Sequence, residues 1–309
     1  MNLKALSYSR KKGFVLVSVL MLGVILISCA TAFTWFVRIQ VRTVGNERLN
    51  ISSRSMAHVL TNSVMNLLYE MSQHLGYDSP LQRWYKPFVL PLGDELGIWV
   101  LQITPLDDKI PLRNLFLPDG NTLRREFTDV LSAMWDKLDH RELESLLLDF
   151  LDRNNKARVG SKEEEYFINR SPYDISELLI LSRDIPAEIV YGSGGRMGID
   201  DYCTIYSDGM INLNVAPLHV MELLPGLDTG LAARVAQSRN DEPLQSLDDI
   251  QKIPGASGRT ATLLTNIAGF KSRYFMLKIQ GLSENGEGGT SFRIIFDRNT
   301  RQIVRWEEI

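Results

Sequence analysis

Phe14–Val37 reads FVLVSVLMLGVILISCATAFTWFV, 24 consecutive residues without a charged side chain. A helix rises about 1.5 Å per residue, so this run spans roughly 36 Å, enough to cross a hydrocarbon core about 30 Å thick. Ahead of it, residues 1–13 carry Lys4, Arg10, Lys11 and Lys12 and no acid. Basic flanks stay on the cytoplasmic side of a bilayer, which puts the bulk of the chain on the other side. Trp35 and Phe36 then fall at the far interface. The expectation is a single-span anchor at 14–37 with an external C-terminal portion.

Beyond the span, residues 38–75 lack proline and contain only Gly45. Val41, Val44, Leu49, Met56, Val59, Leu60, Val64, Leu67, Leu68 and Met71 recur at steps of mostly three and four, the period of an amphipathic helix. The two stretches join into one helix, apolar in its first half and amphipathic in its second. Gly76, Pro80, Pro87 and Pro91 mark a loop region after it. Strands are expected at 97–104 and near 109–112, and helix across about 121–153. A loop follows at 154–174, then a short helix from Ser176 to Leu181 and a glycine-rich turn at 192–198. Two further helical segments fall at about 217–240 and 246–269. At the end, 273–281, 290–297 and 301–307 alternate or run apolar around two turns, the pattern of an antiparallel meander.

Outside the anchor the chain is of ordinary globular character. Over the whole chain of 309 residues, 44% are hydrophobic and 23% charged, with 34 Lys+Arg against 37 Asp+Glu. A net charge of −3 gives no general attraction for polyanions. Two cysteines exclude a disulfide scaffold, and no Cys/His cluster has zinc spacing. His58, His74, His140 and His219 have no nucleophile or ligand at a meaningful distance in sequence. The adjacent pairs Asp107-Asp108 and Asp200-Asp201 read as turns or caps, and Ser207-Asp208-Gly209 as a turn. Nothing here points to an enzyme.

The junction Lys11-Lys12-Gly13-Phe14, directly before the apolar run, resembles that of type IV pilins and the pseudopilins of type II secretion. The resemblance implies that residues 1–13 are a leader removed by a prepilin peptidase between Gly13 and Phe14, with methylation of the new terminus at Phe14. Leu26-Ile27-Ser28-Cys29 also fits a lipoprotein cleavage box, although the chain stays apolar after Cys29. Most pilins carry Glu at the fifth mature position, here Ser18. In the family that carboxylate pairs with the terminal ammonium of the subunit above, and a carboxylate in hydrocarbon is costly without such a partner. Ser18 therefore suggests a subunit with none above it, at a filament tip.

Further along, the resemblance narrows to the K-type minor pseudopilins. Asp149-Phe150-Leu151-Asp152-Arg153-Asn154, Gly160 and Glu163-Glu164-Glu165-Tyr166 are similar to that family's acidic loop. Pro172-Tyr173, Ser176-Glu177-Leu178, the run INLNVAP at 211–217 and LLPGL at 223–227 fit other family segments. The implied fold is α+β: a long N-terminal helix packed on a small antiparallel sheet, with a large helical domain inserted at 115–269. The pilin-like parts are then 38–114 and 270–309. The implied partners are the I-type and J-type minor pseudopilins, other pseudopilins, the inner-membrane assembly platform and the prepilin peptidase. The implied place is the bacterial inner membrane, single-pass, with the C-terminal domain in the periplasm. There a tip complex would start the pseudopilus that exports folded proteins across the outer membrane. K-type members also bind calcium. Asp149, Asp152, Asn154 and Glu163 supply hard oxygens suited to it, although the spacing is not that of an EF-hand. A solvated acidic loop whose aspartates cap helices is the other reading of the same residues. Arg153, Lys156, Arg158 and Lys162 weaken the negative field, and Asn154 stands where the family often has Asp.

One rival reading remains. Residues 211–269 resemble the helix-hairpin-helix modules of DNA-binding proteins, which offer hairpin N–H groups to a phosphate with help from nearby Lys or Arg. Here the basic residues Arg234, Arg239, Lys252 and Arg259 face six acids, Glu222, Asp228, Asp241, Glu242, Asp248 and Asp249. A membrane-anchored DNA binder is the alternative; that net charge of −2 favours packing over phosphate, and no nucleic-acid partner is expected.

Overall fold

The computed structural model describes residues 5–91, 98–282 and 288–309, with side chains from Val15 onward except at 42, 44–50 and 288–289. The chain divides into two compact units, Met1–His58 and Val59–Ile309. One helix, α1, runs from Ala5 to His74. The segment long and apolar enough to cross a membrane is Val15–Val41 within it. Along that segment Leu16, Leu20, Ile27 and Phe33 stand exposed. Its hydroxyls are satisfied locally: Ser28 Oγ donates to Val24 O (2.8 Å), Thr31 Oγ1 to Ile27 O (2.7 Å) and Thr34 Oγ1 to Ala30 O (2.7 Å). Each bond returns a polar group to its own helix, so the surface offered to neighbours is almost wholly apolar.

In Val59–Ile309 the strands are β1 (Phe88–Pro91), β2 (Ile98–Pro105) and the two-residue β3 (Ile110–Pro111). Then come α2 (Arg125–Leu138), α3 (Glu144–Leu151), a 3₁₀ stretch at Ile175–Leu181, α4 (Ala187–Tyr191) and α5 (Ile199–Tyr202). The short β4 (Cys203–Thr204) and β5 (Ile211–Asn212) precede α6 (Leu218–Met221), α7 (Thr229–Asp241), α8 (Leu247–Gln251) and α9 (Gly258–Leu264). The chain closes with β6 (Ala268–Gly269), β7 (Tyr274–Leu282), β8 (Gly288–Asp297) and β9 (Gln302–Glu308).

Five strands form an antiparallel sheet in the order β1-β2-β7-β8-β9. Side chains alternate between sheet faces, so register decides which residues meet. Ile103, Leu277 and Ile294 make one buried row, and Leu101, Ile279 and Phe292 the next. At roughly 1.5–3 kcal/mol for each large apolar side chain taken out of water, two such rows outweigh any single surface contact. Trp99 lies opposite Gly281, and a Cβ there would stand 3.4 Å from the indole, so the small residue makes room for the ring. The last turns of α1 bury Val64, Met65 and Leu68. Lys271 Nζ donates to Ser72 O at 2.8 Å, and the Arg301 guanidinium sits 4.8 Å from the Tyr69 ring centre. A second buried cluster gathers the helical residues, with Phe127, Val130, Met134 and Trp135 from α2 and Leu147 and Phe150 from α3.

The expected long helix and terminal meander are present, and the fold is α+β. Three expectations need correction. The helix anticipated across 121–153 is two, because Asp139 takes a left-handed φ of 61° at the end of α2 and turns the chain. The segments at 217–240 and 246–269 are each broken at a Pro-Gly. The stretch before Ile98 contains β1, whose edge pairing with β2 is non-local. Gly97, residues 283–287 of the glycine-rich turn and residues 1–4 of the leader lie outside the described residues.

Candidate functional site

Three regions singled out by the sequence can be placed. Gly13 and Phe14 belong to α1, and the Phe14 side chain lies outside the described residues. Ser18 is an exposed position on the apolar segment.

The paired hairpins have matching construction. In the first, α6 leads to Pro225-Gly226, and Asp228 caps α7 by accepting from Leu231 N at 2.7 Å. In the second, α8 leads to Pro254-Gly255, and Ser257 caps α9 by accepting from Thr260 N at 3.3 Å. Gly226 and Gly255 have φ of 82° and 92°, values an L side chain rarely adopts. Both turns are packed against the other module. A Cβ on Gly226 would meet Leu263 Cδ1 at 3.2 Å, and one on Gly255 would meet Arg234 Nη2 at 2.6 Å. Arg234 Nε donates to Pro254 O (2.7 Å), Arg239 Nη1 to Leu213 O (2.5 Å) and Ala216 O (2.7 Å), and Lys252 Nζ pairs with Asp249 (2.7 Å). Three of the four basic side chains are thus committed inside the module. The Asp228 carboxylate occupies the helix end that a phosphate would need. The arrangement suits packing and opposes phosphate binding.

Asp249 also closes a capping box on α8, accepting from Gln245 N (2.9 Å) and Ser246 N (3.0 Å). Lys252 first, and these N–H groups with it, hold its carboxyl down at about 2. A depressed folded value means the stabilisation is present above the usual 3.8 and is lost as pH falls through about 2. Asp249→Ala is expected to cost about 1 kcal/mol near neutral pH, and that difference should fade in acid; urea unfolding at several pH values checks it.

The INLNVAP run owes its residue types to a clasp that sequence reasoning did not identify. Asn214 is buried and grips one residue from both sides, accepting from Leu244 N and donating to Leu244 O, each at 2.8 Å. Asn212, also buried, donates to Ser272 Oγ at 2.9 Å. Two asparagines within a buried apolar run were the available sign, since an amide is kept inside only when its donors and acceptors are met.

In the acidic loop the Asp149 and Asp152 side chains are buried and Arg158 lies between them. Its Nη1 pairs with Asp149 Oδ1 and, at 2.5 Å, with Asp152 Oδ2, while its backbone N–H donates to Asp149 Oδ2 at 2.9 Å. Asn154 Oδ1 accepts from Lys156 N at 2.9 Å. Glu163 Oε1 accepts from Asn169 Nδ2 at 3.2 Å, and its Oε2 is buried with no hydrogen-bond partner. Burial pushes the Asp152 and Glu163 carboxyls up from their ordinary range. Calcium takes six to eight oxygens. Of the four residues expected to ligate it, Glu163 Oε2 and Asp152 Oδ2 are buried without a hydrogen bond, the latter held only by its ion pair with Arg158 at 2.5 Å. Among the described residues no group of three His, Cys, Asp or Glu side chains is placed to hold a metal ion. As arranged, the loop does not fit calcium.

The other polar candidates have packing partners. His140 Nδ1 lies 3.2 Å from Glu142, and His219 Nε2 lies 3.1 Å from Asp201 O. Asp201 Oδ2 accepts from Gly198 N at 2.8 Å, as a cap. Asp107 is more than a turn residue: it is buried and accepts from three backbone N–H groups, of Asp208 (3.0 Å), Arg273 (2.8 Å) and Tyr274 (2.9 Å). Cys203 is buried and unbridged, its thiol pushed far up by burial, and Cys29 is free on α1.

Among solved structures the chain is similar to a chain of the GspK-GspI-GspJ complex from the enterotoxigenic Escherichia coli Type 2 Secretion System. The TM-score is 0.60 at 14% sequence identity, over 87% of this chain and 99% of that one. No family model and no curated protein matches the chain. At 14% identity the likeness is one of fold.

Proposed function

We propose that the chain is a minor pseudopilin of type II secretion, of the K type, and a structural subunit without enzymatic activity. The observation that carries this reading is the pairing of an uncovered apolar helix with a fold shared by a subunit of a pseudopilin complex. In this reading Phe14–Val37 holds the chain in the inner membrane, with the C-terminal unit in the periplasm, until assembly. The same helix then packs among neighbouring helices, exchanging lipid for protein without exposing backbone polar groups. I-type and J-type subunits are its partners, by analogy with the GspK-GspI-GspJ complex to which the similar chain belongs. Ser18 marks a subunit with no neighbour above, and residues 115–269 form a bulky inserted domain that caps the tip and lets the filament start.

Processing tests the proposal. The prepilin peptidase is expected to remove residues 1–13, and Gly13→Leu should block that cut. In cells the variant should retain the mass of the leader, and secretion by the system should fall to the level of a deletion. A variant trimmed at the usual place, or one that supports normal secretion while uncut, would refute it.

A further inference from the structure

Charge in the acidic loop has to be balanced from somewhere. Asp149 lies in the last turn of α3 and Asp152 is the residue just past its end, so both carboxylates come to the same side of the chain as it leaves the helix. Their burial is complete or nearly so, at 0% and 1% side-chain exposure. Two buried carboxylates this close repel each other and cannot both stay ionised without a cation.

Arg158 supplies that cation from the same loop. A single guanidinium nitrogen contacts both carboxylates, and the Arg158 backbone N–H adds a third bond to Asp149. Nη2 reaches Asn121 O at 3.3 Å, and the guanidinium lies 5.7 Å from the centre of the Phe116 ring. One side chain thus joins the loop to the segment before α2. A calcium ion bound to both carboxylates would sit about 2.3–2.6 Å from their oxygens, the ground now taken by Nη1. Two cations cannot share it. Asn154, whose oxygen would be another ligand, is turned to its own backbone at Lys156.

We propose that Arg158 is the resident counter-cation of this loop, holding Asp149 and Asp152 in place of a divalent ion and making the order of residues 149–163 independent of calcium. This role of Arg158 follows from the loop geometry alone and is separate from the assignment to a pseudopilus. Glu163 accepts from Asn169 Nδ2 at 3.2 Å, and burial first, with the charges of Asp149 and Asp152, pushes its carboxyl up.

The test uses the full chain in detergent micelles. Thermal unfolding is followed by tryptophan fluorescence, and loop order by tryptic cleavage after Lys156, Arg158 and Lys162, in millimolar calcium and in a chelator. The wild-type midpoint and cleavage rate should be the same in both media. Arg158→Gln should lower the midpoint in chelator by roughly 5–15 °C, because it leaves two buried carboxylates without a counter-charge. A wild-type protein stabilised by several degrees in calcium would overturn the proposal, as would an Arg158→Gln protein of unchanged midpoint in chelator. Should that variant fail to fold, the wild-type comparison decides alone.

Discussion

Asp107→Ala is expected to destabilise the Val59–Ile309 unit by about 3–6 kcal/mol, a large loss for one substitution. The carboxylate follows β2 and collects N–H groups from two other places, the turn at Asp208 and the entry to β7 at Arg273 and Tyr274. Alanine would leave three part-buried donors without this acceptor, and a donor stranded away from water costs roughly 1–3 kcal/mol. Asp107→Asn should cost less, because an amide oxygen can still accept from Arg273 and Tyr274, which share Oδ2. The two variants also differ in pH response. Burial raises the Asp107 carboxyl from 3.8 to about 7, with the charge of Asp208 adding to it and the three N–H bonds opposing. The folded state therefore holds a proton between about pH 4 and 7 that the unfolded chain has released. A raised folded value means the contribution is complete below the unfolded value and is lost as pH rises through about 7. Wild-type stability should thus fall across this window, and Asp107→Asn should remove that slope. Urea unfolding across the window measures both; a slope unchanged in the Asn variant would be evidence against proton binding at Asp107.

Arg298→Met is expected to cost about 3–5 kcal/mol, since it strands a buried charge. Arg298 and Asp78 have side-chain exposures of 3% and 6% and pair at 2.8 Å. Asp78 also accepts from Ser272 N at 2.7 Å, and the Arg298 guanidinium rests 5.1 Å from the centre of the Phe275 ring. The pair ties the loop after α1 to the turn between β8 and β9. Removing both charges together removes the uncompensated carboxylate, so Asp78→Leu with Arg298→Met should be less damaging than Arg298→Met alone. A double-mutant cycle by thermal unfolding decides it, and strict additivity of the two losses would show that they do not act as a pair.

These two sites mark the boundary of what could be read from sequence. The helix to His74 and the strands β7–β9 are written in local periodicity, and the structure has them. The burial of Asp107 has no local signature: its three partners lie 101, 166 and 167 residues away, so Asp107-Asp108 looks like any turn. Asp78 and Arg298, 220 residues apart, are equally silent. β1 was hidden because three residues between prolines gain strand character only from pairing with β2. The split at Asp139 was hidden because apolar spacing continues across a residue that happens to be left-handed. In the acidic loop the carboxylates were evident, and Arg158 was visible as a neighbouring charge. Its position between Asp149 and Asp152 required the fold.

The strand order has a consequence for how the chain can reach its native state. β2 pairs with β7, and everything from Leu106 to Arg273 lies between them in the chain. Closing an unstructured segment of that length carries an entropic cost of about 4–5 kcal/mol before the first ladder bond is rewarded. In the finished molecule the ends of that segment already meet, with Leu106 N donating to Tyr274 O at 2.9 Å. A helical block that has condensed first shortens the effective tether between β2 and β7 to a few residues. The sheet is then zipped as if it were a hairpin, and the order of events is dictated by polymer statistics more than by the strength of either core.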